Sequence, residues 1–210
     1  MSSDIDFHIP TRNEFRRACE LYKQNEPRGD IWLKTQLIVS ENWGNAYEMA
    51  RGIERLIRSW NRFFANFDID ALVKCLEANI LTINKFKDRH INSLTDDDIE
   101  SVKIHFDHFL DPLKRMKDRV KSPVSVAKAF SLLAPSFLPL WDTAIAESYG
   151  CGFTGYGPEN AARIYVRFMQ KMKLLANIVK DFVNVPDDRS LLKRIDEYNY
   201  SKYTMSWLKE

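Results

Sequence analysis

The sequence predicts an all-α protein, a multi-helix globular bundle of about ten helices over 210 residues. Three observations carry that prediction. Breakers are scarce, with seven glycines and eight prolines. Few stretches alternate strictly in polarity, as a half-buried strand would. The helical period recurs instead: in "AYEMARGIERLIRSWNRFF", Met49, Ile53, Leu56, Ile57, Trp60, Phe63 and Phe64 follow steps of three and four, one apolar stripe on a long helix. Ile164, Phe168, Met172, Leu175, Val179 and Phe182 repeat the pattern between Pro158 and Val185. With no internal repeat or long linker, the chain reads as a single compact helical domain, or as two intimately packed lobes.

The expected helices span 11–25, 30–42, 44–65, 69–81, 83–92, 95–110, 111–119, 124–134, 136–149, 158–184 and 188–199. Thr11 with Glu14 and Thr95 with Asp98 have the spacing of a capping box, the Glu being the better third residue. Ser122-Pro123 provides a cap and a proline at the first helical position, and Ala134-Pro135 ends that helix. Ser136 and Asp142 are candidate caps for the next helical segment. Gly157-Pro158-Glu159 starts the long helix with proline early and an acid in the first turn. The other elements rest on periodicity alone. The loosest joints are 25–30 and 150–158. The second holds four of the seven glycines and reads as a connector, or as a lip beside Asp142.

Composition removes several classes. A formal charge of +2 leaves nucleic-acid binding to local clusters rather than the global field. No apolar run approaches the roughly 20 residues that cross a bilayer, and the opening "MSSDIDFHIPTRNEF" has no basic segment followed by an apolar one, so no secretory signal is expected. Cys19, Cys75 and Cys151 are odd in number and far apart, which fits a reducing, cytoplasmic setting without a zinc or iron–sulfur site. His105 and His108 sit one turn apart near Asp107 and Asp111, but no third ligand completes a metal set. No phosphate loop, dinucleotide fingerprint or nucleophile elbow occurs. No cofactor, metal or membrane is expected.

Residues 122–150, "SPVSVAKAFSLLAPSFLPLWDTAIAESYG", read unlike the rest. Asp142 follows "PLW" and can be a helix cap or a functional carboxylate. Lys128 lies among Ala127, Phe130 and Leu133; it either snorkels to water or is an amine whose proton affinity is lowered by its surroundings. Trp141 is a core residue or a stacking surface. A lysine-bearing helix followed by Pro-hydrophobic-x-Asp-Thr entering a second helix resembles the helix-hairpin-helix DNA glycosylase superfamily. "PLWDTAIAESYG" carries that resemblance, over about a dozen residues. The segment is also similar to bacterial proteins to which no function is attached. The glycosylase resemblance implies a DNA-glycosylase-like bundle, Asp142 as the catalytic carboxylate that stabilises the sugar cation, and Lys128 as the nucleophile. It also implies Trp141 stacked on an extruded base. The chain departs from the superfamily pattern in lacking the hairpin Gly-x-Gly and the cysteine quartet of some members. Lys128 and Asp142 also stand closer in sequence than is usual there.

Two basic clusters flank this stretch. "LKRMKDRVK" supplies Lys114, Arg115, Lys117, Arg119 and Lys121, while Arg163, Arg167 and Lys171 recur at every fourth residue. Each is a solvated face or a phosphate-binding surface. The end of the chain interleaves Tyr198, Tyr200, Tyr203 and Trp207 with Lys202 and Lys209, as a stacking surface or as a tail packed on its own domain. The leading expectation is an intracellular protein that binds double-stranded DNA and is remotely related to base-excision glycosylases. The alternatives are a non-catalytic interaction module, with a protein partner or a second copy of the chain, and a small-molecule enzyme with a pocket near Asp142 and residues 150–158.

Overall fold

The computed structural model describes residues 5–152, 157, 160–186 and 189–208, the side chain of Arg62 excepted. Among these residues the regular structure is entirely helical. The α-helices are α1 (Arg12–Asn25), α2 (Gly29–Glu41), α3 (Ala46–Trp60), α4 (Ile69–Ile83), α5 (Asp96–Leu110), α6 (Pro123–Leu133), α7 (Thr143–Ser148), α8 (Ala161–Val179) and α9 (Leu191–Asn199). Short 3-10 turns cover Arg62–Phe64 and Ile91–Ser93, and a π-helical turn, Tyr200–Thr204, extends α9.

The caps explain the starts. Thr11, Asn45, Asp68, Thr95, Ser122, Asp142 and Ser190 each accept a backbone N–H of the first turn through the side chain. Of the two expected capping boxes, the Asp-containing one is complete. Asp98 reaches back to the backbone of Thr95, and Arg89 clamps its carboxylate at 2.7 Å. Glu14 turns away from Thr11 and takes His8, Lys202 and Tyr198 instead. A long-range ion pair there outcompetes the local return bond.

Four expected elements differ. Residues 83–92 are turns, because Arg89 folds back to bond the Ser93 carbonyl and Asp98, and Ile91 N donates to the Ser136 carbonyl at 2.8 Å. Residues 111–119 are also turns. Arg115 N donates to Val120 O at 2.8 Å, and Arg119 takes a left-handed φ of 61° that no helix continues through. Helix 136–149 shrinks to α7, since Pro139 lacks the donor a helix there requires and Asp142 starts the helix afresh. α3 stops at Trp60, so Phe63 leaves the stripe and is 80% exposed.

One continuous apolar cluster joins the helices. α1 lies against α9, α2 against α3 and α6, and α5 against α8. Gly52 allows α3 to approach α2 closely: a Cβ there would stand 2.9 Å from Val39 Cγ2. At the centre, Phe106, Phe130, Trp141 and Tyr165 meet edge to face or tilted, and Tyr165 OH donates to the Pro139 carbonyl at 2.8 Å. This cluster pins α6 and the segment leading to α7 against α8. Lys128 and Asp142 are thereby held in fixed relation.

Candidate functional site

A cavity of about 450 Å³ opens where the ends of α1 and α3 meet α6, the start of α7 and α9. Its walls include Trp60, Phe64, Trp141 and Leu140. Three carboxylates (Glu26, Asp142, Asp196) and three cations (Arg28, Lys121, Lys128) reach it. That mix of apolar wall and a few convergent polar groups is the usual composition of a small-ligand site.

Lys128 does not snorkel. It is 7% exposed, and its Nζ donates to the Trp60 carbonyl at 2.9 Å, a carbonyl left open where α3 ends. Burial lowers its pKa to about 8, against the opposing pull of Asp142 and Asp196. Its Nζ also lies 6.0 Å from the Trp60 ring. An amine whose proton affinity is lowered in this way gives up its proton to become a nucleophile more readily than an exposed lysine.

Asp142 is both a cap and a cavity residue. Oδ1 accepts the Ile145 N–H at 2.8 Å and Oδ2 the Thr204 hydroxyl at 2.7 Å. Burial raises its carboxyl above the usual range, although both hydrogen bonds and Lys128 act in the opposite sense. The two readings of Asp142 are therefore compatible: the cap orients the carboxylate, and the cavity gives it a face.

Trp141 reaches the cavity but is 1% exposed, locked among Phe106, Tyr165 and Phe168. It is a core tryptophan whose ring faces are taken by protein. Trp60 and Phe64, both only partly buried, offer the freer aromatic surface.

The basic clusters are divided by their partners. Lys114 pairs with Asp111 at 2.8 Å, and Arg115 with Asp118. Lys117, Arg119 and Lys121 are exposed, and Lys121 stands at the cavity itself. On α8, Arg163 and Arg167 are exposed, whereas Lys171 is buried and held by Asp6 at 2.5 Å, so the three do not form one solvent-facing line. At the chain's end Tyr198 stacks on Phe15, Tyr203 packs on Tyr149, and Tyr200 OH donates to Glu26. The aromatic tail is internal structure; Lys209 lies outside the described residues, as does most of the 150–158 joint. His105 and His108 both point Nδ1 at Asn79 Oδ1, at 2.8 and 2.9 Å, so each donates to one shared acceptor. No metal-binding cluster occurs among the described residues, and no helix among them is long and apolar enough to cross a membrane.

As cavity residues, sequence reasoning missed Glu26, Arg28, Trp60, Asp196 and Thr204, and it had Tyr200 only as part of the aromatic tail. The first three sit at or beside helix ends, where local pattern indicates only a boundary. Asp196 and its partner Lys193 look like an ordinary i,i+3 surface pair, yet Lys193 is 2% exposed. No family model, curated protein or solved structure matches the chain.

Proposed function

We propose that this protein binds duplex DNA and acts on it at the sugar, by base-excision chemistry in which Lys128 is the nucleophile and Asp142 the stabilising carboxylate. The observation that carries the reading is the meeting of these two side chains on one cavity wall, the amine desolvated and the carboxylate oriented by its cap. Such a cavity can take one extruded nucleotide, with Trp60 and Phe64 as the flat apolar surfaces. Lys128 attacks the anomeric carbon and Asp142 faces the positive charge that develops on the sugar. Lys121 at the cavity, with the exposed Lys117, Arg119, Arg163 and Arg167, are the groups that would meet phosphate.

The test is reductive trapping. Wild-type protein is mixed with a duplex containing one abasic site and treated with borohydride, which freezes a lysine imine as a covalent adduct. An adduct with wild type that disappears in Lys128→Ala supports the reading. No adduct, together with no salt-dependent binding of duplex DNA, overturns it.

A second reading is an amine-dependent enzyme acting on a small carbonyl compound. It is favoured by the internal pairing of Lys114 and Arg115, which takes two cations out of the basic run 114–121. Reaction of Lys128 with small aldehydes in a protein that ignores DNA would select it.

A further inference from the structure

A second buried lysine shares Trp60 with Lys128. Lys193 is 2% exposed and surrounded by the rings of Tyr22, Trp32 and Trp60, at 4.7, 5.8 and 5.2 Å from Nζ. A fully enclosed ammonium needs a counter-charge. Asp196 supplies it, with Oδ2 2.6 Å from Nζ, and Tyr22 OH lies 3.3 Å away. The pair costs desolvation that a hydrophobic pair would avoid, so ordinary stability does not explain it.

What distinguishes this pair is its position. Asp196 forms part of the cavity wall that Lys128 and Asp142 also line. Lys193 holds one of its oxygens. The other, Oδ1, accepts no hydrogen bond from a described side chain. Asp142, by contrast, has a protein donor on each oxygen. Both lysines also meet the same residue, Trp60: Lys193 over its ring and Lys128 at its ring and carbonyl.

We infer that Asp196, fixed by Lys193, is the proton acceptor and donor for Lys128, and that Asp142 serves only to stabilise positive charge. The inference rests on the proposed role of Lys128 as an amine nucleophile. Lys128 and Asp196 form no direct ion pair, since Lys128 bonds the Trp60 carbonyl and Asp196 is held by Lys193, so the transfer runs through one water in the cavity: the water takes a proton from the Lys128 ammonium as it gives one to Asp196, leaving a neutral amine. The amine adds to the carbonyl carbon of the opened sugar; the N–C bond forms, and the C=O pair moves to oxygen, which takes a proton from the nitrogen. Protonated Asp196 then returns its proton to the carbinolamine hydroxyl, which leaves as water while the nitrogen lone pair makes the iminium. Ammonium plus aldehyde become iminium plus water, and Asp196 ends as it began.

The charged groups facing this exchange are few. Lys193, Tyr22 and Glu197 are the groups near Asp196 on the buried side, and Lys128, Asp142, Arg28, Glu26, Lys121 and Tyr200 line the same cavity. Glu26 is already bonded to Arg28 and Tyr200, so it does not compete as a base.

The experiment measures the rate of imine formation from pH 6 to 9 by borohydride trapping, with two probes. One is the abasic duplex; the other is glycolaldehyde, with modification at Lys128 read by peptide mass spectrometry. Wild type should be nearly flat between pH 6 and 8, because the internal base removes the proton. Asp196→Asn should be at least tenfold slower at pH 7 and should fall about tenfold per pH unit below the amine's own titration, as expected for loss of general-base assistance. Should that variant misfold for want of a counter-ion, Lys193→Met/Asp196→Asn removes both buried charges together and should show the same slope. An unchanged or faster rate in either folded variant with both probes overturns the inference while leaving the role of Lys128 intact. Flat wild-type and steep variant profiles with glycolaldehyde alone, and no adduct with DNA, would keep Asp196 as the base and overturn the DNA reading. No wild-type reaction with either probe overturns both.

Discussion

Thr204 Oγ1 donates to Asp142 Oδ2 at 2.7 Å, joining the π-helical turn that extends α9 to the N-cap of α7 across 62 positions. π-Turns are inserted where a side chain must be re-aimed, and here the turn brings both Tyr200 and Thr204 to the cavity. Asp142→Asn keeps a good N-cap, since Asn and Asp cap about equally well. Its melting temperature should stay within a few degrees of wild type while trapping of abasic DNA is lost. Thr204→Val should cost about 1 kcal/mol of stability, the net worth of one hydrogen bond, measured by urea denaturation. A variant of Asp142 that melts early and still reacts would make the residue a cap alone.

Lys128 ties stability to alkaline pH. Its folded pKa of about 8 lies below the ordinary lysine value of 10.5. Below about pH 8 both folded and unfolded chains hold the proton, and the folded state bears the cost of burying it. Between about 8 and 10.5 the unfolded chain binds more protons than the folded one, so stability rises with pH, by an amount on the order of 3 kcal/mol over the window. Denaturation of wild type and Lys128→Gln at pH 7.5 and 10 should show wild type gaining on the variant. Parallel behaviour would mean that the amine is hydrated.

At the acid end one sensitive group is Asp98. The Arg89 guanidinium and the Thr95 donors hold its pKa down to about 2, although burial works against them. Its contribution is present above the ordinary carboxylate range and is lost as pH falls from about 4 towards 2. Asp98→Asn should cost about 1 to 2 kcal/mol at pH 7 through the weakened capping box, and the gap to wild type should close by pH 2. Acid melting curves that remain parallel would assign the loss to packing instead.

The helices and their starts were legible because their causes are local. Thr95, Ser122 and Asp142 cap the residues that come directly after them in sequence, and the stripe of α3 needs only its own period. Residues 83–92 and 111–119 misled because their helical pattern is overridden by Arg89 reaching Asp98 and by Arg115 N bonding Val120 O. Lys128 and Asp142 could be singled out from one short stretch. Their environment could not. The Trp60 carbonyl that receives Lys128 comes from 68 residues away, and Thr204 from the far end of the chain. Lys193–Asp196 has the spacing of an exposed helical pair and becomes a buried one only because α1 and α2 bring Tyr22 and Trp32 over it. Periodicity and caps act within a few residues, so the sequence by itself determined the helical class and most helix starts. Desolvation depends on which distant surfaces meet, so only the tertiary structure decided that two lysines and three carboxylates share one enclosed corner.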